Sequence, residues 1–164
     1  MSVNFFNSDC SENPRSETLF GICDEGNKAY TDILNPDNWI AIVINENEID
    51  ITFTAIDQCF KILKENSKDQ ESLCDGMLTF KDALYLIELK DQMTGGWLPD
   101  AIGQLKNTIK LLDKDDLSTI KFKKAFACNK KHSPRFNSSI NELNKRLFRK
   151  YGFRIEIQSK IKIK

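Results

Sequence analysis

The chain has 164 residues, which is enough for one domain whose core needs no metal or disulfide to hold it together. Hydrophobic residues make up 40% and charged residues 29%, proportions that exclude a disordered chain and a membrane protein. No apolar run approaches the roughly 18 residues that a membrane span needs, and the N-terminus lacks the features of a secretory signal, so we expect a cytoplasmic protein.

The formal net charge of zero conceals a strong asymmetry along the sequence. Residues 1–104 contain 7 Lys and Arg against 19 Asp and Glu, and residues 105–164 contain 17 against 5. The first part therefore has a net charge of −12 and the second a net charge of +12. Such blocks indicate either a positive face that binds a polyanion or two halves that neutralise each other across the fold.

The cysteines are odd in number and widely spaced, with no C-x-x-C pair among Cys10, Cys23, Cys59, Cys74 and Cys128. A zinc site needs clustered ligands, and the chain has a single histidine, so the sequence argues against zinc. The pattern predicts free thiols in a reducing compartment instead.

The first third of the chain is expected to form two strands and two short helices. Residues 1–16 are polar and are expected to be loose. Residues 17–25 (ETLFGICDE) are interpreted as a short helix that ends near Gly26. The apolar run 39–45 predicts a buried strand, and alternation over 49–55 predicts a half-buried one. A helix over residues 56–63 and a polar loop are expected to follow.

The rest of the chain shows a clearer pattern of strands and helices. Residues 74–91 predict a hairpin, and residues 97–112 (WLPDAIGQLKNTIKLL) predict an amphipathic helix. A strand is expected over 118–128, and a second helix over 133–153 with Gly152 as its stop. Polar and apolar residues alternate over 154–164, which predicts one strand at the end of the sequence. We therefore expect a single mixed α/β domain over residues 1–164.

The hairpin carries the most informative charges in the sequence. A two-residue loop at positions 81 and 82 would set Asp75 opposite Glu88, with both side chains on one face. Lys90 would lie on the same face, roughly 6.5 Å further along the strand. The opposite face would be thoroughly apolar, with Leu78, Phe80, Tyr85, Ile87 and Leu89.

Two interpretations of these charges are open. Like charges directly opposed destabilise a sheet, and a divalent cation between Asp75 and Glu88 would turn that repulsion into ligation. Magnesium suits two carboxylates completed by waters and a substrate phosphate, and Lys90 could orient the attacking water and stabilise negative charge. Alternatively, Lys90 pairs with one carboxylate at the end of a solvated strand. A register slip of one residue would also turn Asp75 to the other face.

The hairpin contains Asp75, then twelve residues, then the tripeptide Glu88-Leu89-Lys90. This arrangement resembles the motif of the PD-(D/E)xK, or restriction-endonuclease-like, nuclease superfamily. In that superfamily the Asp opens one strand of a hairpin, the E-x-K motif lies on the next, and a helix and a further strand follow. Residues 97–112 and 118–128 provide both in that order. Many members also have a polar helix residue, often Gln, beside the metal site, and Gln104 is the matching candidate. The resemblance covers about residues 72–127.

The resemblance implies a restriction-endonuclease-like fold, with a mixed central sheet flanked by helices. It also implies a nuclease that hydrolyses phosphodiester bonds with Mg²⁺ or Mn²⁺. Asp75, Glu88 and the carbonyl of Leu89 would bind the metal, Lys90 would assist the water, and Gln104 would support the site. The implied partner is nucleic acid, with DNA favoured over RNA.

The sequence departs from the superfamily pattern in its details. Cys74 replaces the Pro of the motif, and Glu17 is a weak match to the additional Glu of some members. Trp97 is expected to anchor the core rather than stack on a base. His132 has no identifiable Ser or Cys partner that would make it a catalytic base.

A basic run follows the proposed site and is a candidate for phosphate contacts. Lysines on a solvated strand edge, which discourage aggregation, would give the same pattern. The candidate nucleic-acid-binding residues are Lys121, Lys123, Lys124, Lys130, Lys131 and Arg135.

Three functional classes remain open from the sequence. The first is a metal-dependent nuclease, with specificity supplied by a homodimer or a partner subunit, as in defence or repair systems. The second is a non-catalytic subunit of the same fold that binds nucleic acid or protein. The third is an immunity or antitoxin-like protein whose acidic half imitates nucleic acid.

Overall fold

The computed structural model describes residues 5–6, 9–93, 95–115, 117–131 and 138–164. Within them the chain forms two mixed sheets and two α-helices, α1 (Trp97–Leu112) and α2 (Ser138–Tyr151), besides a short 3-10 helix at Pro36–Asn38. The strands are β1 (Leu19–Cys23), β2 (Tyr30–Asp32), β3 (Ala41–Ile44), β4 (Thr52–Ala55), β5 (Gly76–Phe80), β6 (Ala83–Lys90), β7 (Phe122–Asn129), β8 (Phe153–Ile157) and β9 (Lys160–Lys162).

The two sheets have different strand orders. The four-stranded sheet runs β2-β1-β3-β9, and its last pair is parallel. The five-stranded sheet runs β4-β5-β6-β7-β8, with antiparallel pairs as far as β6 and parallel pairs beyond it. The expectation of a mixed α/β fold is confirmed. None of the helices in the described ranges is long and apolar enough to cross a membrane.

Two buried layers hold these elements together. One lies between the sheets, where Phe20 and Val43 meet Leu78, Tyr85 and other apolar side chains of the hairpin. The second lies on the other face of the five-stranded sheet, where the helices cover it. The five-stranded sheet is therefore buried on both faces, which explains the near-continuous apolar sequence of β6.

The register of the β5–β6 hairpin is as predicted. Lys81 and Asp82 form the loop, and Phe80 pairs with Ala83. The apolar face predicted from the sequence is the face that packs between the sheets. This register directs the other face, which includes the Glu88 side chain, towards α1.

Two of the early helix predictions are wrong. Residues 17–25 contain β1, which pairs with β2 and β3, and Gly21 in its middle lies against the Trp39 ring. Residues 56–63 form no helix: residues 57–59 are a turn, and Leu63 makes an isolated bridge with Gln70. The backbone N–H groups of Ile56 and Asp57 bond to the carbonyls of Asp75 and Cys74, which extends the pairing beyond β4. An apolar run as short as these fits a strand or a helix equally well.

The single strand predicted over 154–164 is also wrong. The chain turns at Gln158 and Ser159, so that β8 joins the five-stranded sheet and β9 the four-stranded one. The backbone of Ser159 accepts a hydrogen bond from Ile42 of β3, which directs the chain into the second sheet. One alternating sequence therefore connects the two sheets.

The expectation of free thiols is wrong for two of the cysteines. Cys10 and Cys59 form a disulfide, while Cys23, Cys74 and Cys128 are free and buried. The segment that contains Cys10 is not loose, because Ser11 and Arg15 are bridged to residues at β4 and just before it. Residues 1–4 and 7–8 of the predicted loose segment lie outside the described residues.

Candidate active site

Four of the residues predicted for the site come together beside α1. Asp75 immediately precedes β5, Glu88 and Lys90 lie near the end of β6, and Gln104 lies in the second turn of α1. The hairpin register brings the two carboxylates together, and the helix covers the same face of the sheet. The hairpin spacing predicted the meeting of Asp75, Glu88 and Lys90, and the resemblance to the nuclease superfamily supplied Gln104.

Hydrogen bonds join these residues in one network. The backbone N–H of Asp75 donates to Glu88 Oε1 (3.2 Å), and the backbone N–H of Leu89 donates to Asp75 Oδ2 (2.7 Å). Lys90 Nζ lies 3.2 Å from Glu88 Oε2 and donates to Gln104 Oε1 at 3.0 Å. Lys90 is therefore held between a carboxylate of the sheet and an amide of the helix.

A second set of contacts fixes the helix against the start of the hairpin. Gln104 Nε2 donates to the carbonyl of Leu73 at 3.3 Å. Thr108, one turn later and fully buried, accepts from the backbone N–H of Cys74 and donates to the carbonyl of Gln104, each at 2.8 Å. Sequence reasoning assigned no role to Thr108. A polar residue one turn from Gln104 on the predicted helix was the available signal.

Both carboxyl groups are buried and electrostatically strained. Asp75 is 8% exposed and Glu88 is 1% exposed. Burial raises the pKa of Asp75 to about 6. Burial and the neighbouring Asp75 raise the pKa of Glu88 to about 10, although Lys90 acts in the opposite direction. Near neutral pH the pair therefore holds one proton in the absence of a cation.

A shallow hollow opens beside this network. Its volume is about 340 Å³, and Lys90 and Gln104 form part of its wall. The carboxylates of Asp75 and Glu88 do not line it, whereas Lys90 both lines the hollow and contacts Glu88. The other lining residues are Ser72, Pro99, Asp100 and Gly103.

The donor set fits a hard cation that is completed by other ligands. Among the residues that the structure describes, no group of three or more His, Cys, Asp or Glu side chains could hold a metal ion. Magnesium, however, usually takes one or two carboxylates together with waters and substrate phosphate. A cation between Asp75 and Glu88 would also offset the repulsion from Asp75, which adds to burial in raising the pKa of Glu88. The metal role predicted for the Leu89 carbonyl remains a prediction.

Two neighbouring residues complete the surroundings of the site. Asn129, the last residue of β7, is buried and bonds through its side chain to the backbone N–H and carbonyl of Gln92. This contact fixes the chain just after Lys90. Sequence reasoning did not single out Asn129. Trp97 begins α1 and is 8% exposed within the core, so its predicted structural role is confirmed.

The predicted basic residues that lie within the described ranges do not form one patch. Lys121 precedes β7, and Lys123 and Lys124 lie near its start, on opposite faces of the sheet. Lys130 and Lys131 follow its end, where the backbone N–H of Lys130 donates to the carbonyl of Lys90 (3.0 Å). Among the predicted basic residues that the structure describes, this last pair alone is close to the candidate site. His132 and Arg135 lie outside the described residues.

The lysines near the site already have protein contacts. Lys130 Nζ donates to the carbonyl of Asp37, and Lys131 Nζ lies 3.6 Å from a carboxylate oxygen of Asp91. Both lysines are nevertheless exposed, and exposed ion pairs of this kind are weak. A phosphate could therefore replace the Asp91 partner of Lys131 at little cost.

Comparisons with protein-family models, curated proteins and solved structures gave no match to this chain. The function must therefore be inferred from the residues of the site and their geometry.

Proposed function

We propose that this protein is a magnesium-dependent nuclease of restriction-endonuclease-like fold that hydrolyses phosphodiester bonds. The convergence of Asp75, Glu88, Lys90 and Gln104 in one network beside a hollow is the observation that supports this most directly. The order of hairpin, α1 and parallel strand β7 in one sheet also agrees with the resemblance.

Each residue has a distinct task in this proposal. Asp75 and Glu88 would hold Mg²⁺ or Mn²⁺, which polarises the phosphate and makes water a better nucleophile. Lys90, on the wall of the hollow, would orient the attacking water and offset the negative charge that develops on the phosphate. Gln104 would keep the Lys90 ammonium in place through its 3.0 Å contact.

Nucleic acid, with DNA favoured over RNA, is the proposed substrate, and a homodimer or partner subunit would supply specificity. We propose a cytoplasmic location because an intracellular nucleic acid is the substrate that defence and repair systems act on. The Cys10–Cys59 disulfide argues against this location, since disulfides are rare in reducing compartments.

A non-catalytic subunit of the same fold is the alternative function. The network favours it in one respect, because Lys90 and two backbone N–H groups already satisfy the buried carboxyls without any cation. In that case the same residues would stabilise the end of the hairpin, and a partner would contact the surface around it. Metal dependence separates the two functions.

Cleavage of plasmid, single-stranded DNA and RNA with Mg²⁺ or Mn²⁺ tests the proposal. Wild type would be compared with Asp75→Ala and Lys90→Ala, and with Lys81→Ala at the opposite end of the same hairpin as the matched control. We expect cleavage to disappear in EDTA and to fall at least about 100-fold in the two site variants, but not in the control. The non-catalytic alternative would be supported by either of two results. Cleavage could persist in both site variants, or wild type could neither cleave nor change its melting temperature when metal is added.

A further inference from the structure

A second feature of the surface lies away from the candidate site, where the edges of the two sheets meet. β8 is the edge strand of the five-stranded sheet and β9 that of the four-stranded sheet, and two residues connect them. An open cleft of about 510 Å³ lies between these edges. Lys124 of β7 and Glu156 of β8 line one side, and Lys160, Lys162 and Lys164 line the other.

The cleft has an excess of positive charge. Lys124 Nζ lies 3.6 Å from a carboxylate oxygen of Glu156, so these two charges largely offset each other. Lys160, Lys162 and Lys164 are exposed, and no carboxylate of the described residues lies within 4 Å of their ammonium groups. Three lysines without a close ion pair among the described residues therefore lie along one wall, and Glu46 shares a neighbouring hollow with Lys162 and Lys164.

The spacing of these lysines is regular. They alternate along the chain with Ile161 and Ile163, which are buried in the layer between the sheets. Residues two apart in a strand lie about 6.6 Å apart and point to the same side. This repeat is close to the distance between successive phosphates along one extended strand of nucleic acid, so each lysine could face one phosphate.

We propose that this cleft binds one strand of nucleic acid through its phosphates. Lys160, Lys162 and Lys164 would contact successive phosphates, and Lys124 would exchange its Glu156 partner for a further one. Lys124 packs near the Tyr85 ring on the sheet face opposite to Glu88, so this surface is separate from the candidate active site. The proposal goes beyond the nuclease, because binding here needs neither Asp75 nor a metal.

Protection of the sheet edge is the competing explanation for these lysines. Charged side chains on an edge strand prevent edge-to-edge association, and β9 is an edge strand. Glutamate at the same positions would protect the edge equally well but would repel phosphate. Charge reversal therefore separates the two explanations.

Fluorescence anisotropy with a labelled single-stranded oligonucleotide in EDTA measures this binding without cleavage. The test variant is Lys160→Glu/Lys162→Glu, and the matched control is Lys64→Glu/Lys68→Glu. The control lysines are exposed and follow β4, at the opposite edge of the five-stranded sheet. Thermal melting and size-exclusion chromatography check that both variants stay folded and unassociated.

We expect the test variant to bind at least about tenfold more weakly than wild type and the control to bind within about twofold of it. The salt dependence of log K should also become less steep by about 1.4 in the test variant, since two phosphate contacts are lost. Equal binding by test and control variants, or no binding by wild type, would overturn the proposal. Because the assay contains no metal, its outcome is independent of whether the protein cleaves nucleic acid.

Discussion

Lys90 is the residue on which the two interpretations of the hairpin differ. Its ammonium lies 3.2 Å from Glu88 and 3.0 Å from Gln104, and its side chain is 16% exposed. An ion pair at the frayed end of a solvated strand would leave the carboxylate exposed, but Glu88 is buried. Burial makes the charged form of Glu88 costly, even though Lys90 and the backbone N–H of Asp75 both contact its oxygens. The geometry therefore favours a functional role for the Glu88–Lys90 pair.

Metal-free protein is expected to lose stability as the pH rises. The pKa of Asp75 is raised from 3.8 to about 6 and that of Glu88 from 4.5 to about 10. Between the ordinary and the raised values the folded protein binds more protons than the unfolded chain, so the free energy of unfolding falls with pH. Asp75 contributes to this decrease until it has titrated around pH 6, and at higher pH the contribution comes mainly from Glu88.

Thermal melting in EDTA from about pH 5 to about pH 9 measures this dependence. Glu88→Gln removes the titration and keeps a hydrogen-bonding side chain, so its melting temperature should fall less with pH than that of wild type. Glu142→Gln, an exposed change on α2, should follow wild type. Identical slopes for wild type and Glu88→Gln would show that Glu88 titrates normally in the folded protein.

At the scale of elements, the start of β5 depends on close packing against β4. A Cβ atom at Gly76 would lie 2.5 Å from Cζ of Phe53 and 3.0 Å from the carbonyl oxygen of Thr54. Gly76→Ala should therefore destabilise the protein by about 1–3 kcal/mol and displace Asp75, which directly precedes it. Urea unfolding measures the change. Gly103→Ala in α1, where a Cβ atom would meet nothing within 4 Å, is the control and should be neutral or stabilising.

Some helices and strands can be predicted from neighbouring residues in the sequence, and others cannot. Helix α1 was predicted over residues 97–112 and is found at Trp97–Leu112, because its apolar period is long and begins after two glycines. The hairpin register followed from its two-residue loop. By contrast, β1 and β9 form because each pairs with β3, which is distant from β9 in sequence and separated from β1 by β2. Short apolar runs do not encode which strand they will pair with.

The candidate site was predictable for the same reason. Asp75, Glu88 and Lys90 belong to one hairpin, so local spacing predicted their meeting. Gln104 lies on the helix that follows, and it was predicted from the resemblance to the nuclease superfamily. Asn129 is contributed by β7, which pairs in parallel with β6 only after a long crossover. Its contact with Gln92 has no short-range signal in the sequence.

The Cys10–Cys59 disulfide joins the N-terminal segment to the turn after β4 and spans a sequence separation of 49. Cys10→Ser should lower the free energy of unfolding by about 2–4 kcal/mol, because the cross-link restricts the unfolded chain. Denaturant unfolding of wild type with and without a reducing agent gives the same comparison without mutation. The free energy of unfolding of Cys10→Ser should not change when the reducing agent is added. Equal stability of oxidised and reduced wild type would contradict the expectation.

At the scale of the whole molecule, the opposite charges of the two sequence halves stay largely separate. Lys131–Asp91 is the one ion pair between described residues that joins the halves, and the others are Arg15–Glu17, Lys90–Glu88, Lys124–Glu156 and Lys145–Glu142. β7 and β8 form one edge of the five-stranded sheet, and β9 forms an edge of the other. Direct ion pairs between described residues therefore neutralise little of the charge of the two halves, although β9 of the basic half pairs with β3 of the acidic half.

Binding of Mn²⁺ to metal-free protein, measured by isothermal titration calorimetry near pH 8, tests the central claim most directly. We predict that wild type binds one ion per chain and that Asp75→Asn binds it about 10- to 100-fold more weakly. Asp82→Asn, at the loop of the same hairpin, should bind the ion as wild type does. Affinity should rise with pH as Glu88 gives up its proton. Absence of binding by wild type, or equal binding by wild type and Asp75→Asn, would contradict a cation site between Asp75 and Glu88.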